Sequence, residues 1–301
     1  MDVESILRRF SVNNFGVVDS MMRITGSGVY PLAALLNHSC APNCLLRYTH
    51  GGVLEVVASV DIEAGTELTH SYVDLVSTTD IRRQQLQMTY GFHCTCVRCL
   101  DWKVSLPSNY LNSNADDLID WILDTYNQNT GVGTSRKVSL DQARFDLDSL
   151  LRPPLESTST VTPQVQTLQH KAHLAMANDD IDVELSLLSE AIDLRLTTTS
   201  SLFFLDVYQA RCQRLSSWIV AQQLDEALRD CRHVVAVLCL ALSQVPCHPL
   251  LGLQLFTLGD LYEACGRIEQ GRKTHLWARR ALSTSLGSGN AMVQMLDDKV
   301  A

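Results

Sequence analysis

The sequence predicts an α+β chain in two parts, and three observations carry that prediction. Short apolar runs broken by glycine-containing turns fill the chain up to Tyr90, and a Cys-x-Cys-x2-Cys run follows at Cys94, Cys96 and Cys99. Beyond residue 164 almost everything has helical periodicity. With 301 residues and 46% hydrophobic content, the chain can bury the cores of two domains.

The elements follow in order. Val3 to Phe10 places Val3, Ile6, Leu7 and Phe10 at helical spacing and stops at the polar stretch Ser11 to Asn14. Phe15 to Val18 is short and apolar, and Thr25-Gly26-Ser27-Gly28 reads as a turn. A lone Gly-x-Gly is weak evidence for cofactor binding, because turns need glycine whatever they do. Pro31 to Leu36 gives a short helical turn. Cys44 to Thr49 and Val53 to Ala58 read as strands, and His50-Gly51-Gly52 between them is hairpin chemistry, since glycine supplies positive φ. Ile62 to Thr69 gives another turn and strand, and a helix is predicted over Thr79 to Tyr90.

Past the cysteines the texture changes. Segments 103–113, 127–138 and 152–164 are rich in Ser, Thr, Asn, Gly and Pro, so a boundary falls near residue 102. In the helical remainder, Leu258 to Tyr262, with Gly266, Gly271 and Ala278, fits the small and aromatic positions of a tetratricopeptide (TPR) helix pair. A fainter match centres on Leu215, Trp218 and Ala227. The offset from Ala227 to Gly271 is 44 residues, not the roughly 34 of a regular array, which predicts an irregular helical stack.

Composition excludes some function classes. A net charge of −9 argues against a nucleic-acid platform, which would show a basic face, and favours protein partners. No apolar run approaches the roughly 20 residues that cross a bilayer, and Asp2 and Glu4 before Arg8 and Arg9 are unlike a signal peptide. An intracellular setting in cytoplasm and nucleus is the expectation, with Cys212, Cys231, Cys239, Cys247 and Cys265 as reduced core thiols.

The chemistry concentrates in three places. Thiols as closely spaced as Cys94, Cys96 and Cys99 can bend around one zinc ion, and by spacing alone either Cys40 or Cys44 would complete a tetrahedral set. Asn37 and His38 stand before Cys40 in Asn-His-Ser-Cys, where Asn-His beside Pro42 would ordinarily cap a turn. Glu67-Leu68-Thr69-His70-Ser71-Tyr72 reads as a strand ending in Tyr72. A hydrolytic triad of Ser71, His70 and Asp74 is excluded, because adjacent strand positions face opposite ways.

This ordered set resembles the second half of a SET domain with its post-SET zinc loop, and more narrowly the SET-and-MYND (SMYD) lysine methyltransferases. Gly28-Val29-Tyr30-Pro31, Asp61 to Gly65, Arg82 to Leu86 and His248 to Gln254 add to the likeness. The resemblance implies a partial SET β fold over 1–91, a post-SET zinc loop over 92–102 and a TPR-like helical domain over 103–301. It makes Cys40 the fourth zinc ligand with Cys94, Cys96 and Cys99. It places S-adenosylmethionine against Asn13, Asn37, His38, Tyr72 and Phe92, a lysine tunnel at Phe15 and Tyr90, and Tyr72 as the catalytic residue.

The implied activity is methyl transfer to protein lysines, possible histone tails among them; acidic residues outnumber basic ones 23 to 17 beyond residue 102, which suits basic ligands. The family's MYND module and first SET half have no counterpart in this sequence, so an N-terminally truncated, inactive fragment is expected. The alternative is a non-catalytic zinc-containing scaffold that recruits proteins through its helices.

Overall fold

A computed structural model describes residues 2–19, 23–107, 115–129, 142–151, 161–197 and 203–301. The chain divides into two compact units. The first comprises Met1–Trp102 with Gln244–Leu253 and His275–Ala301, the second Lys103–Ser243 with Gln254–Thr274. The stretch after residue 102 therefore contributes to both. No helix among the described residues is long and apolar enough to cross a membrane.

In the first unit, helix α1 (Val3–Asn13) starts at Asp2, whose carboxylate accepts from the Ser5 N–H at 2.7 Å. Its apolar face is exposed at Val3, Ile6, Leu7 and Phe10. Strand β1 (Asn14–Val18) pairs antiparallel with β2 (Ile24–Val29), from Asn14 opposite Val29 to Val18 opposite Ile24. The turn expected at Thr25 to Gly28 is thus strand. The chain reverses earlier, where the Asp19 carboxylate accepts from the N–H and Nε of Arg23. Polar local bonding at Asp19 outweighs the turn preference of the two glycines.

Strands β4 (Cys44–Thr49) and β5 (Val53–Ala58) form the expected hairpin, and Gly51 and Gly52 carry φ of 79° and 73° between them. Two short strands, β3 (Asn37–His38) and β6 (Thr69–His70), pair in parallel with Asn37 opposite Thr69 and His38 opposite His70. Of the turn and strand expected over Ile62 to Thr69, the turn closes from Glu63 to Thr66 and the strand is the short β6. Asn43 takes over as partner: its Nδ2 donates to the Glu67 carbonyl at 2.8 Å and its Oδ1 accepts from the Thr69 N–H at 2.9 Å.

Helix α2 (Thr79–Tyr90) ends at Gly91, which has φ of 76° and donates its N–H to the carbonyls of Leu86 and Gln87. Every fourth position faces one way, so Arg82, Leu86 and Tyr90 form one stripe. Helix α3 (Val97–Asp101), which the sequence did not announce, carries Cys99.

The second unit is mostly helical. Strands β7 (Lys103–Pro107) and β8 (Gln142–Asp146) pair antiparallel, so the first of the three polar segments begins as strand. Residues 108–113, 130–138 and 152–160 of those segments lie outside the described residues. Helix α4 is Ala115–Asn129 and α5 is Leu147–Leu151. Then α6 (Val161–Ala177), α7 (Ile181–Thr197), α8 (Leu205–Val220) and α9 (Leu224–Ala241) pack each on the next. Ala172, Leu188, Ile192, Phe204, Val207 and Ala210 form a buried cluster there.

Three further helices end the chain: α10 (Pro249–Ala264), α11 (Ile268–Ser285) and α12 (Ala291–Val300). Gly271 lets α11 approach α10 closely, since a Cβ there would lie 2.6 Å from Glu263 Cγ and 3.0 Å from the Gly259 carbonyl. This is the small position that the repeat-like pattern called for.

Candidate functional site

The parallel pairing of β3 with β6 builds the site, because it sets Asn-His-Ser-Cys beside His70-Ser71-Tyr72. The backbone N–H of Tyr72 donates to His38 Nδ1 at 3.0 Å. An N–H can only donate, so Nδ1 is the acceptor and the imidazole proton sits on Nε2. That nitrogen lies 3.2 Å from Cys40 Sγ and donates to it. Burial drives the His38 pKa down to about 4, which keeps the ring neutral.

Cys40, Cys94, Cys96 and Cys99 converge, their sulfurs all within 4.8 Å of one another. The sulfurs of Cys40 and Cys99 lie 3.5 Å apart. Zinc–sulfur bonds of about 2.3 Å in a tetrahedron put sulfurs about 3.8 Å apart, so the four fit one zinc ion. Cys44 stays in β4, outside this group. Hydrogen bonds from Cys40 and Cys99 hold the Cys96 thiol far below the ordinary range, and burial raises Cys94 to about 11. Sulfurs packed this closely repel one another when ionised, and a divalent cation would relieve that repulsion.

Two cavities flank Tyr72 and His38. The first, of about 470 Å³, is lined by Asn13, Phe15, Tyr48, His70, Tyr72 and Tyr90 among others. The second, of about 440 Å³, is lined by His38, Glu67, Phe92, Cys94 and Cys96 among others. Both fall in the range of small-ligand sites. The Tyr72 and His38 rings lie 5.2 Å apart between them.

The Tyr72 ring also packs on Tyr90 at 4.7 Å and His70 at 4.9 Å, and Phe15 lies 5.9 Å from His70. The Tyr72 hydroxyl donates to the Leu36 carbonyl at 2.5 Å, and burial raises its pKa, so the phenol stays protonated. Such a ring can orient a reacting group but is a poor base.

Of the predicted residues, Asn13, Phe15, Tyr72 and Tyr90 therefore share one cavity, and His38 and Phe92 share the other. Asn37 lines neither; its Nδ2 donates to Glu67 Oε1 at 2.6 Å. Sequence reasoning weighed His70 only as a member of an excluded triad, and it is buried with Nδ1 at 3.1 Å from the Ser71 carbonyl; Asn43, which clamps the strand, was given no role. It also gave no role to Arg82, whose fourfold spacing from Leu86 and Tyr90 could have marked it as inward-facing.

Residues 9–73 match the SET domain family. Over nearly its whole length the chain is similar to the histone-lysine N-methyltransferase ASHR1 of Arabidopsis thaliana, with 26% identity over 295 residues, 97% of this chain and 58% of that protein. Mouse (Mus musculus) histone-lysine N-methyltransferase SMYD3 is 45% identical over 87 residues, 29% of this chain and 20% of that one. The N-lysine methyltransferase SMYD2-B of Xenopus laevis is 38% identical over 97 residues, 32% of this chain and 22% of that protein.

The chain thus carries SET-domain sequence with SMYD- and ASHR1-type homologues, and it spans 58% of the length of ASHR1. A structure of TPR-like repeats from a Podosopora anserina kinesin light chain covers 64% of this chain and 78% of its own, at 14% identity and a TM-score of 0.37.

Proposed function

We propose that this chain is part of a protein-lysine N-methyltransferase that uses S-adenosylmethionine, with a structural zinc at Cys40, Cys94, Cys96 and Cys99. The observation that carries the reading is the position of Tyr72: its ring lines one cavity, and its backbone is tied to His38, which lines the other.

S-adenosylmethionine supplies the methyl group in this chemistry. The lysine amine must lose its proton, attack the methyl carbon in line and leave the carbon–sulfur electron pair on sulfur. Aromatic faces at Phe15, Tyr72 and Tyr90 favour an incoming ammonium before it loses that proton. The Tyr72 phenol, neutral and anchored to Leu36, orients the amine without competing as a nucleophile. On the other side, His38 and Phe92 offer a ring-lined wall of the size an adenosyl group needs.

Further polypeptide would complete the catalytic unit. The apolar face of α1, together with Ile24 and Val29 of β2, is exposed and forms an unfinished packing surface. Protein substrates follow from the lysine chemistry, and basic histone-like segments suit the chain's acidity.

The test is calorimetric titration of S-adenosylmethionine into this chain and into one extended upstream, with transfer of labelled methyl to protein lysines. Binding and transfer by the extended chain are expected; neither in either chain would sink the proposal. The exposed α1 face also suits the scaffold alternative, which zinc content without cofactor binding in both chains would select.

A further inference from the structure

The side chain of Arg82 is fully buried, and its hydrogen-bond acceptors are sulfur and neutral oxygen. Nε donates to Cys40 Sγ at 3.2 Å and Nη2 to Cys99 Sγ at 3.6 Å. Nη2 also donates to Thr79 Oγ1 at 2.8 Å, and Nη1 donates to the Ser77 carbonyl. A guanidinium is never deprotonated in proteins, and burying it without a counter-charge is strongly unfavourable. No carboxylate is among these partners, so its counter-charge is the thiolate cluster.

The neighbouring arginines do different work. Arg83 donates to the carbonyls of Cys94 and Cys99, each at 3.0 Å, and Arg98 donates to the carbonyls of Cys40 and Leu75. Those bonds hold the ligand-bearing backbone, whereas those of Arg82 reach the ligand atoms.

We propose that Arg82 is a built-in counter-charge for the metal centre, bonding Cys40 and Cys99 so that a tetrathiolate zinc is retained in a buried site. This rests on the zinc reading above. A zinc ion with four thiolates has a formal charge of about −2, which low-dielectric surroundings disfavour. A guanidinium touching two of the four sulfurs removes half of it. N–H···S bonds also lower the energy of the sulfur lone pairs and so slow protonation, which is the step by which a thiolate leaves the metal. Cys40 accepts from both Arg82 and His38.

The experiment measures zinc transfer from the intact chain to excess chromophoric chelator for wild type, Arg82→Lys, Arg82→Gln and Arg82→Met, with Arg83→Gln as the backbone-contact comparison. Loss of a partner to metal ligands costs about 10- to 100-fold in affinity. Release from Arg82→Gln and Arg82→Met is therefore expected to be faster by that order, with Arg82→Lys intermediate and Arg83→Gln less affected.

Because an uncharged variant at a buried arginine can fail to fold, cobalt(II)-substituted wild type and Arg82→Lys give a second reading. The sulfur-to-cobalt charge-transfer band should move to lower energy in Arg82→Lys. Wild-type release rates in the Arg82 variants, or an unmoved band, overturn the assignment while zinc binding stands. A wild-type chain that takes up neither zinc nor tetrahedral cobalt overturns the zinc reading and this inference with it.

Discussion

Tyr72 and His38 are joined twice, by an N–H···Nδ1 bond of 3.0 Å and by rings 5.2 Å apart, and this pair separates the two cavities. One residue belongs to the β6 end, the other to β3, so the partition depends on the parallel pairing of two dipeptides.

Tyr72→Phe keeps the ring contacts and deletes the bond to Leu36. A net loss of about 1 kcal/mol in stability is expected from one hydrogen bond. In the chain extended upstream, single-turnover methyl transfer should fall by about 10²-fold or more while cofactor affinity, read by calorimetry, changes little. Unchanged turnover would remove Tyr72 from the chemistry.

Cys96→Ser should abolish retention of one equivalent of zinc, as should chelation of the wild-type chain, with elemental analysis as the readout. The thermal midpoint should fall in both cases, because binding energy at a structural zinc contributes directly to folding. An unaltered midpoint after verified zinc loss would contradict a structural role.

Asp230→Asn probes the second unit. The Asp230 carboxylate, nearly inaccessible, accepts from Arg214 Nε and Nη2, each at 2.7 Å, and from Arg211 Nη1 at 2.5 Å. Removing its charge leaves two guanidinium groups poorly compensated, and urea unfolding should show a loss of about 3 to 5 kcal/mol. A loss under about 1 kcal/mol would mean that water reaches the network.

Acid should destabilise the chain through its buried imidazoles. Burial lowers the His233 pKa to about 4, and its Nδ1 lies 2.9 Å from the Arg229 carbonyl. The folded state thus binds the proton more weakly than the unfolded chain, whose pKa is near 6.5. The stabilisation is complete above pH 6.5 and declines as pH falls toward 4. Between pH 7.5 and 5.5 His233 alone should account for about 1 kcal/mol, and His233→Leu should flatten the pH profile of unfolding by that amount. An equally steep profile in the variant would refute the assignment.

Much of the architecture was legible because it rests on local signals. Gly51 and Gly52 marked the β4–β5 hairpin, the spacing from Thr79 to Tyr90 marked α2, and Cys94, Cys96 and Cys99 marked the thiol cluster. Features set by distant partners were not legible. Strands β3 and β6 have two residues each and no periodicity to read, and β7 finds its partner β8 far along the chain. The Gly26–Gly28 stretch carried a turn signal that pairing with β1 overrode. The burial of His70 and Arg82 was missed for a related reason: a lone polar side chain announces nothing until the fold surrounds it.

Helix α2 carries Arg82 against the cysteine sulfurs and, eight residues on, Tyr90 against Tyr72. At about 1.5 Å of rise per residue the two side chains stand about 12 Å apart along a rod that resists bending. The sheets of this unit are separate two-stranded ladders, none of which frames the cavity by itself. The helix acts as a gauge block, fixing the wall of the cavity at a set distance from the sulfur cluster, so the shape of the pocket is inherited from the four cysteines.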